Sequence, residues 1–187
     1  DREWLSRLID TIERVNDKVA GAGGPNLVPE DDSPIAKVIG YMQQTFIGSG
    51  GSPQSYEIRK PRCVYSLANC NVVYKRNILL RNPYDDSLSI GEDADLNFRL
   101  TRQGYKLMFI PNAIVWHFRV SNIKSFIRKM FLYGFFMAKI CKKHKRLIRW
   151  YAPVPVISFI IVLSLLLSIK VCLLSALILR YLALSYV

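Results

Sequence analysis

The stretch Gly91-Glu92-Asp93-Ala94-Asp95-Leu96-Asn97-Phe98-Arg99-Leu100, closed by Gly104-Tyr105, decides how this chain is read. Leu96 and Leu100 stand at i,i+4, Phe98 and Arg99 fall on neighbouring faces, and Gly104 sits where a helix should stop. The spacing therefore predicts a helix whose first turn carries three carboxylates. Acidic side chains at a helix start complement the macrodipole and cap free N–H groups, which accounts for one of them. Three exceed that need. A carboxylate held by backbone N–H groups is expected to keep a low pKa and stay ionised, ready to take a proton from an attacking hydroxyl.

Outward from this helix the polar part of the chain alternates between helical and extended patterns. Trp4, Leu5, Leu8, Ile12 and Val15 repeat at helical spacing, and Val19-Ala20-Gly21-Ala22 reads as a short strand running into a glycine turn. A phosphate-loop reading of Gly21-Ala22-Gly23-Gly24-Pro25 fails, because no Lys-Ser/Thr follows and Pro25 removes an N–H such a loop would use. Ile35, Ile39, Met42 and Phe46 predict a second amphipathic helix. The glycine- and serine-rich residues 48–55 predict a loop, either a mobile active-site loop or a plain surface connection. Asn71-Val72-Val73-Tyr74, Lys106-Leu107-Met108-Phe109-Ile110 and Ile114-Val115-Trp116 read as strands, the last ending at His117. Residues 121–145 predict a long helix with Phe126, Met130 and Phe131 apolar and Lys124, Arg128 and Lys129 basic, suited to lie along a membrane face.

On these residues the chain resembles family-2 glycosyltransferases of the GT-A fold. The match runs through the 91–100 stretch, Gly104-Tyr105-Lys106-Leu107, Pro111-Asn112-Ala113-Ile114-Val115-Trp116-His117, and Phe126-Ile127-Arg128 to Tyr133-Gly134, and it covers about residues 1 to 138. The resemblance implies an α/β, partial GT-A-like nucleotide-diphospho-sugar transferase domain, with Asp93 as the general base that deprotonates the acceptor hydroxyl. It implies His117 as a ligand of the divalent metal, Mg²⁺ or Mn²⁺, on the donor diphosphate. The segments 19–26 and 68–76 look like those lining the acceptor and donor sides, so Gly24 and Asn71 join Glu92, Asp95 and Arg128 as substrate-binding candidates.

In the family, the nucleotide-binding half comes first and ends in an Asp-x-Asp that holds metal and diphosphate. Here the chain opens at Asp1-Arg2-Glu3-Trp4-Leu5, which looks like the helix just after that motif, so the expectation is a fragment of a longer protein, inactive alone. Asp93-Ala94-Asp95 is itself an Asp-x-Asp and has to be weighed as the metal motif. A metal Asp-x-Asp closes a strongly apolar strand, whereas Asp85-Asp86-Ser87-Leu88-Ser89-Ile90 is polar and loop-like, which favours the base reading.

Charge divides the 187 residues unevenly. All 14 acidic residues lie at or before Asp95, against 11 Lys and Arg, and the remainder carries 15 basic residues and no acidic one, within an overall +12. That asymmetry points to an anionic surface. From Tyr151 the composition turns apolar: residues 151–169 are an uncharged run of bilayer length, expected to span a membrane. Residues 171–187 follow as a second apolar stretch containing Arg180, either another span or a continuation in which Lys170 snorkels.

Lys139, Lys142, Lys143, Lys145, Arg146 and Arg149 precede the run, which under the positive-inside rule places the polar domain in the cytoplasm at the cell membrane. These cations also suit anionic headgroups. No nucleic-acid fold motif accompanies them, so nucleic acid is not expected as a partner. Cys63, Cys70, Cys141 and Cys172 form no C-x-x-C, Cys141 and His144 lack a second ligand pair, and free thiols are expected.

The expected layout is a GT-A-like part over 1–138, a basic juxtamembrane segment over 139–150 and one or more transmembrane segments over 151–187. The expected activity is hexosyl-type transfer from a nucleotide-sugar donor to a lipid-linked or glycan acceptor. A processive polysaccharide synthase is the alternative within the class; Ser125-Phe126-Ile127-Arg128-Lys129 keeps the Arg of the processive Gln-x-x-Arg-Trp but neither the Gln nor the Trp. A catalytically silent, membrane-anchored binding module is the alternative outside it.

Overall fold

A computed structural model describes residues 3–15, 18–53, 60–147 and 154–185. Gln54, Ser55, Arg149, Tyr151, Ala152 and Pro153, on which parts of the loop, basic-cluster and span expectations fall, lie outside the described residues. The chain separates into two units, Asp1–Lys143 and His144–Val187.

The first unit is built on a mixed four-stranded sheet. Strands β1 (Val19–Gly23), β3 (Arg62–Val64), β4 (Val72–Tyr74) and β5 (Lys106–Phe109) take the order β3-β5-β1-β4. β1 is parallel to β5 and antiparallel to β4, and β3 is antiparallel to β5. β1 is central and buried along its whole length, and its pairing with β5 is irregular between Val19 and Gly21, a break in the regular pleat that goes with Ala20 and Ala22 lying in different cores. Ala20 joins Leu67, Leu96, Leu100, Leu107 and Phe109 on one face, where helix α4 (Glu92–Arg102) packs. Ala22 joins Leu8, Ile110 and Ala113 on the other, under helix α1 (Trp4–Arg14). Leu96 and Leu100, the i,i+4 pair that predicted α4, are fully buried, each such burial contributing about 1.5–3 kcal/mol.

A second, two-stranded parallel sheet pairs β2 (Asn26–Leu27) with β6 (Val115–Trp116), and the His117 N–H extends it by donating to the Leu27 carbonyl at 2.9 Å. Helix α2 (Pro34–Gln44) starts on Ser33, whose hydroxyl accepts the Ala36 N–H at 3.3 Å, with Pro34 pre-set for the first turn. A six-residue helix, α3 (Arg76–Arg81), follows β4, and α5 (Ile123–Lys143) ends the unit. The strands β2 and β3 and the helix α3 are too short to leave a periodic signal in the sequence.

The second unit is dominated by α6 (Val154–Ser185), one continuous helix through Lys170. Its membrane-length apolar window is Val156–Ile178, which runs through Lys170 and is not the 151–169 run expected from the sequence. Those 23 residues rise about 35 Å, enough for a hydrocarbon core of about 30 Å. The hydroxyls of Ser164, Ser168 and Ser175 donate to carbonyls one turn back, so the helix satisfies these polar groups itself.

Candidate active site

Gly91 opens α4 from the left-handed region at φ +79°, and no side chain caps the helix. That conformation suits glycine, and a Cβ there would also sit 2.6 Å from Ile140 Cδ1. The three carboxylates of the first turn then diverge. Glu92 Oε1 accepts from Asn69 Nδ2 at 2.8 Å. Asp93 accepts the backbone N–H of Ala94 at 2.7 Å and that of Asn69 at 3.3 Å. Asp95 points inward, fully buried, with Arg99 Nε on Oδ2 at 2.7 Å and Lys143 Nζ on Oδ1 at 2.8 Å. Asp93 and Asp95 thus serve different partners on different sides of the helix start, which is not how two carboxylates share one metal ion.

Burial raises the pKa of Asp93, the N–H of Ala94 pulling it back and the neighbouring Glu92 raising it further. The expectation that N–H groups would hold this carboxyl low is therefore corrected: desolvation of the charged form outweighs the two N–H bonds. The outcome is closer to what a general base needs, because proton transfer is most effective when the base's pKa lies nearer the working pH.

Asn69 ties the site together. Its N–H and side-chain amide hold Asp93 and Glu92, and its Oδ1 accepts from Tyr84 Oη at 2.9 Å. Beneath it Tyr74 Oη donates to Asn97 Oδ1 at 2.7 Å, while Asn97 Nδ2 donates to the Leu67 carbonyl at 2.7 Å. Burial first, then the neighbouring Tyr84 and Asp93, push the Tyr74 phenol well above its ordinary value against the opposing pull of the Asn97 hydrogen bond, so it stays a neutral donor. Sequence reading missed Asn69, Tyr84 and Asn97; the quoted segments contained Asn69 and Asn97, but nothing in spacing distinguishes them from surface asparagines.

The other sequence candidates fall into three places. Asn71, 1% exposed, donates through Nδ2 to the carbonyls of Pro25 at 3.0 Å and Ala113 at 2.8 Å. Gly24 is buried against the same turn, where a Cβ would lie 2.0 Å from the Ala113 carbonyl oxygen. Like Asp95, these two are buried among groups of the domain itself, a placement in which they support the fold around the site. Gly24→Ala is expected to destabilise the fold by about 1–3 kcal/mol, as overpacking against backbone that cannot retreat does. Chemical denaturation checks this, and an unchanged midpoint would mean that the 110–113 turn can yield.

Arg128 is exposed on α5, whereas Lys129, one residue on, lies 5.6 Å from the Tyr133 ring and acts electrostatically on His117 and Cys70. His117 is half-buried with Nδ1 lacking a hydrogen-bond partner. Burial lowers its pKa, and the cations Arg119 and Lys129 lower it further, so the ring is a neutral imidazole at neutral pH. That free base has the chemistry of a metal ligand. Among the described residues, however, no group of three or more His, Cys, Asp or Glu is placed to hold a metal ion, so His117 offers one ligand without companions. Beside it Trp116 and Phe118 line an open depression of about 410 Å³ with Pro29, Glu30 and Asp31.

A mixed sheet that carries a half-buried carboxylate at a helix start, followed by an apolar helix, has the layout of a GT-A-like sugar transferase. Over residues 2–187 the chain matches glycosyl transferase family group 2, and it belongs to that family. It is 29% identical over 161 residues, 82% of this chain, to the dolichyl N-acetyl-alpha-D-glucosaminyl phosphate 3-beta-D-2,3-diacetamido-2,3-dideoxy-beta-D-glucuronosyltransferase of Methanococcus voltae. It is 24% identical over 147 residues, 76% of this chain, to the pre-mycofactocin glycosyltransferase of Mycobacterium tuberculosis. The chain spans 48% of the first relative's length and 30% of the second's. No solved structure matches it.

Proposed function

We propose that the protein transfers a sugar from a nucleotide-activated donor to a hydroxyl or phosphate of a lipid-linked or glycan acceptor at the cytoplasmic face of the cell membrane, with Asp93 as general base. The observation that carries this reading is the Asp93 carboxyl: half-buried, anchored by two backbone N–H groups, and raised in pKa toward the range where it can take a proton. The Methanococcus voltae relative, whose name specifies a dolichyl-phosphate-linked sugar, supports a lipid-borne acceptor. The window Val156–Ile178 and the cations that precede it in sequence support membrane anchoring with the polar domain cytoplasmic. The departures of 125–129 from Gln-x-x-Arg-Trp favour a single transfer over processive synthesis.

Membrane docking is testable on the basic segment. Lys139 donates to the Ser87 carbonyl and Lys143 bridges Asp85 and Asp95, so both have work inside the domain. Lys142 and Lys145 are exposed and free of that complication. Each cation near an anionic surface contributes on the order of 1 kcal/mol before screening. Lys142→Gln/Lys145→Gln in the full-length protein is expected to lower transfer several-fold onto acceptor embedded in anionic vesicles and to spare transfer onto a short soluble analogue. Equal losses on both would assign the two lysines to folding or catalysis. No transfer and no donor hydrolysis by the intact protein under any condition would favour a silent binding module.

Mg²⁺ or Mn²⁺ bound at the donor would neutralise the leaving diphosphate. His117→Ala is expected to raise the metal concentration needed for half-maximal activity, because removal of an imidazole ligand weakens a site. An identical metal titration for the variant would return His117 to a purely structural role at the end of β6.

A further inference from the structure

We infer that Lys143 is a positioning residue for the base: the last turns of α5 grip the loop and first turn that carry Asp93, and Lys143 is the centre of that grip. This rests on the reading of Asp93 as the base. Three residues on one face of α5 make the contact. Lys139 Nζ donates to the Ser87 carbonyl at 2.8 Å. Ile140, 0% exposed, is packed over Gly91 so closely that a Cβ there would lie 2.6 Å from its Cδ1. Lys143 Nζ lies 2.8 Å from both Asp85 Oδ2 and Asp95 Oδ1, joining the two ends of the 85–95 segment through one ammonium.

The positions 139, 140 and 143 are neighbours on a helix surface, so the grip is a single rigid unit. Asp95 carries the constraint to the base, since it lies two residues from Asp93 in the same first turn, and Arg99, which holds its other oxygen, also donates to the Pro83 carbonyl. The segment 83–95 is thereby pinned at Pro83, Asp85, Ser87, Gly91 and Asp95 by side chains of α4 and α5. Lys143 is 43% exposed and yet pairs with the fully buried Asp95, so its loss takes one of two cationic partners from a carboxylate in the interior. Positioning of this kind matters because a displacement of about 1 Å at a catalytic group costs on the order of 10²-fold in rate.

The test measures kcat and the KM for donor in the full-length protein for Asp93→Asn, Lys143→Met, Lys143→Arg and the double variant Lys143→Met/Asp95→Asn, each normalised to the concentration of donor-binding sites. Lys143→Met is expected to lower kcat about 10–100-fold with little change in the KM for donor. Lys143→Arg, which keeps a cation able to reach two carboxylates, is expected to restore most of the loss. The double variant, which no longer buries a carboxylate deprived of one of its cations, is expected to lose less than the sum of its singles. Should Lys143→Met fail to fold, Lys139→Met breaks the neighbouring contact without stranding a buried charge, and a several-fold fall in kcat is expected. A wild-type kcat in the lysine variants alongside an inactive Asp93→Asn overturns the positioning role alone. An active Asp93→Asn overturns the base reading and this inference with it, and a kcat loss that Lys143→Arg does not restore assigns Lys143 to folding.

Discussion

Asp93→Asn is expected to lower turnover by about 10²–10⁴-fold while leaving donor affinity nearly unchanged, the usual worth of a positioned base. Asparagine keeps the shape but has one acceptor oxygen, so it can hold one of the Ala94 and Asn69 N–H groups, which bond to different oxygens of Asp93, and turns its NH2 toward the other. The same environment predicts the pH dependence. Burial raises the Asp93 pKa, so activity should fall on acidification at a higher pH than an ordinary aspartate would set, and Asp93→Asn should abolish that limb.

The sign for stability runs the other way. A carboxyl with a raised folded pKa binds its proton more tightly in the native state, so its ionisation costs stability as pH rises from the ordinary value through the folded one. At neutral pH the Asn variant is relieved of that cost but gives up one N–H contact, so its Tm should stay close to the parent's. Near-normal turnover would remove Asp93 from the mechanism, and the same loss in an Asp95 variant alone would move the role there.

Asp95→Ala should lower stability by about 3 kcal/mol, near the bottom of the range for breaking a buried ion pair. Removing this carboxylate takes a partner from both Arg99 and Lys143 and leaves a gap under α4. The cost stays at the low end because Lys143 keeps Asp85 and is 43% exposed, and Arg99 keeps the Pro83 carbonyl. For a domain of this size the shift corresponds to roughly 10 °C in Tm. Thermal unfolding of the two aspartate variants side by side tests the expected contrast, a Tm near the parent's for Asp93→Asn and a lowered Tm for Asp95→Ala. A loss below about 1 kcal/mol for Asp95→Ala would mean that its ion pairs and burial nearly cancel.

The elements legible in the sequence were those with a period long enough to read. α1, α2, α4, α5 and α6 follow their apolar spacing, and β1 and β5 follow their runs of small or apolar residues between turns. The acidic helix start was legible because three acids there exceed what a macrodipole needs, while the choice of Asp93 among them came from the family resemblance. Tertiary structure alone decided which of the three faced which partner. A helix start turns successive side chains by about 100°, so Asp93 meets the Asn69 N–H while Asp95, two residues on, goes inside to Arg99 and Lys143.

The same holds for Asn71 and Gly24, whose partners lie 42 residues away for the Asn71 amide and across the 110–113 turn for Gly24. Lys143 reads in sequence as one more cation before an apolar run, and only the return of α5 onto the 85–95 segment makes it a buried carboxylate's partner. Local pattern determines helix, strand and the residue types a site contains, because those depend on neighbours along the chain. Long-range packing determines burial, and burial sets both the Asp93 pKa and the division of its neighbours between chemistry and support.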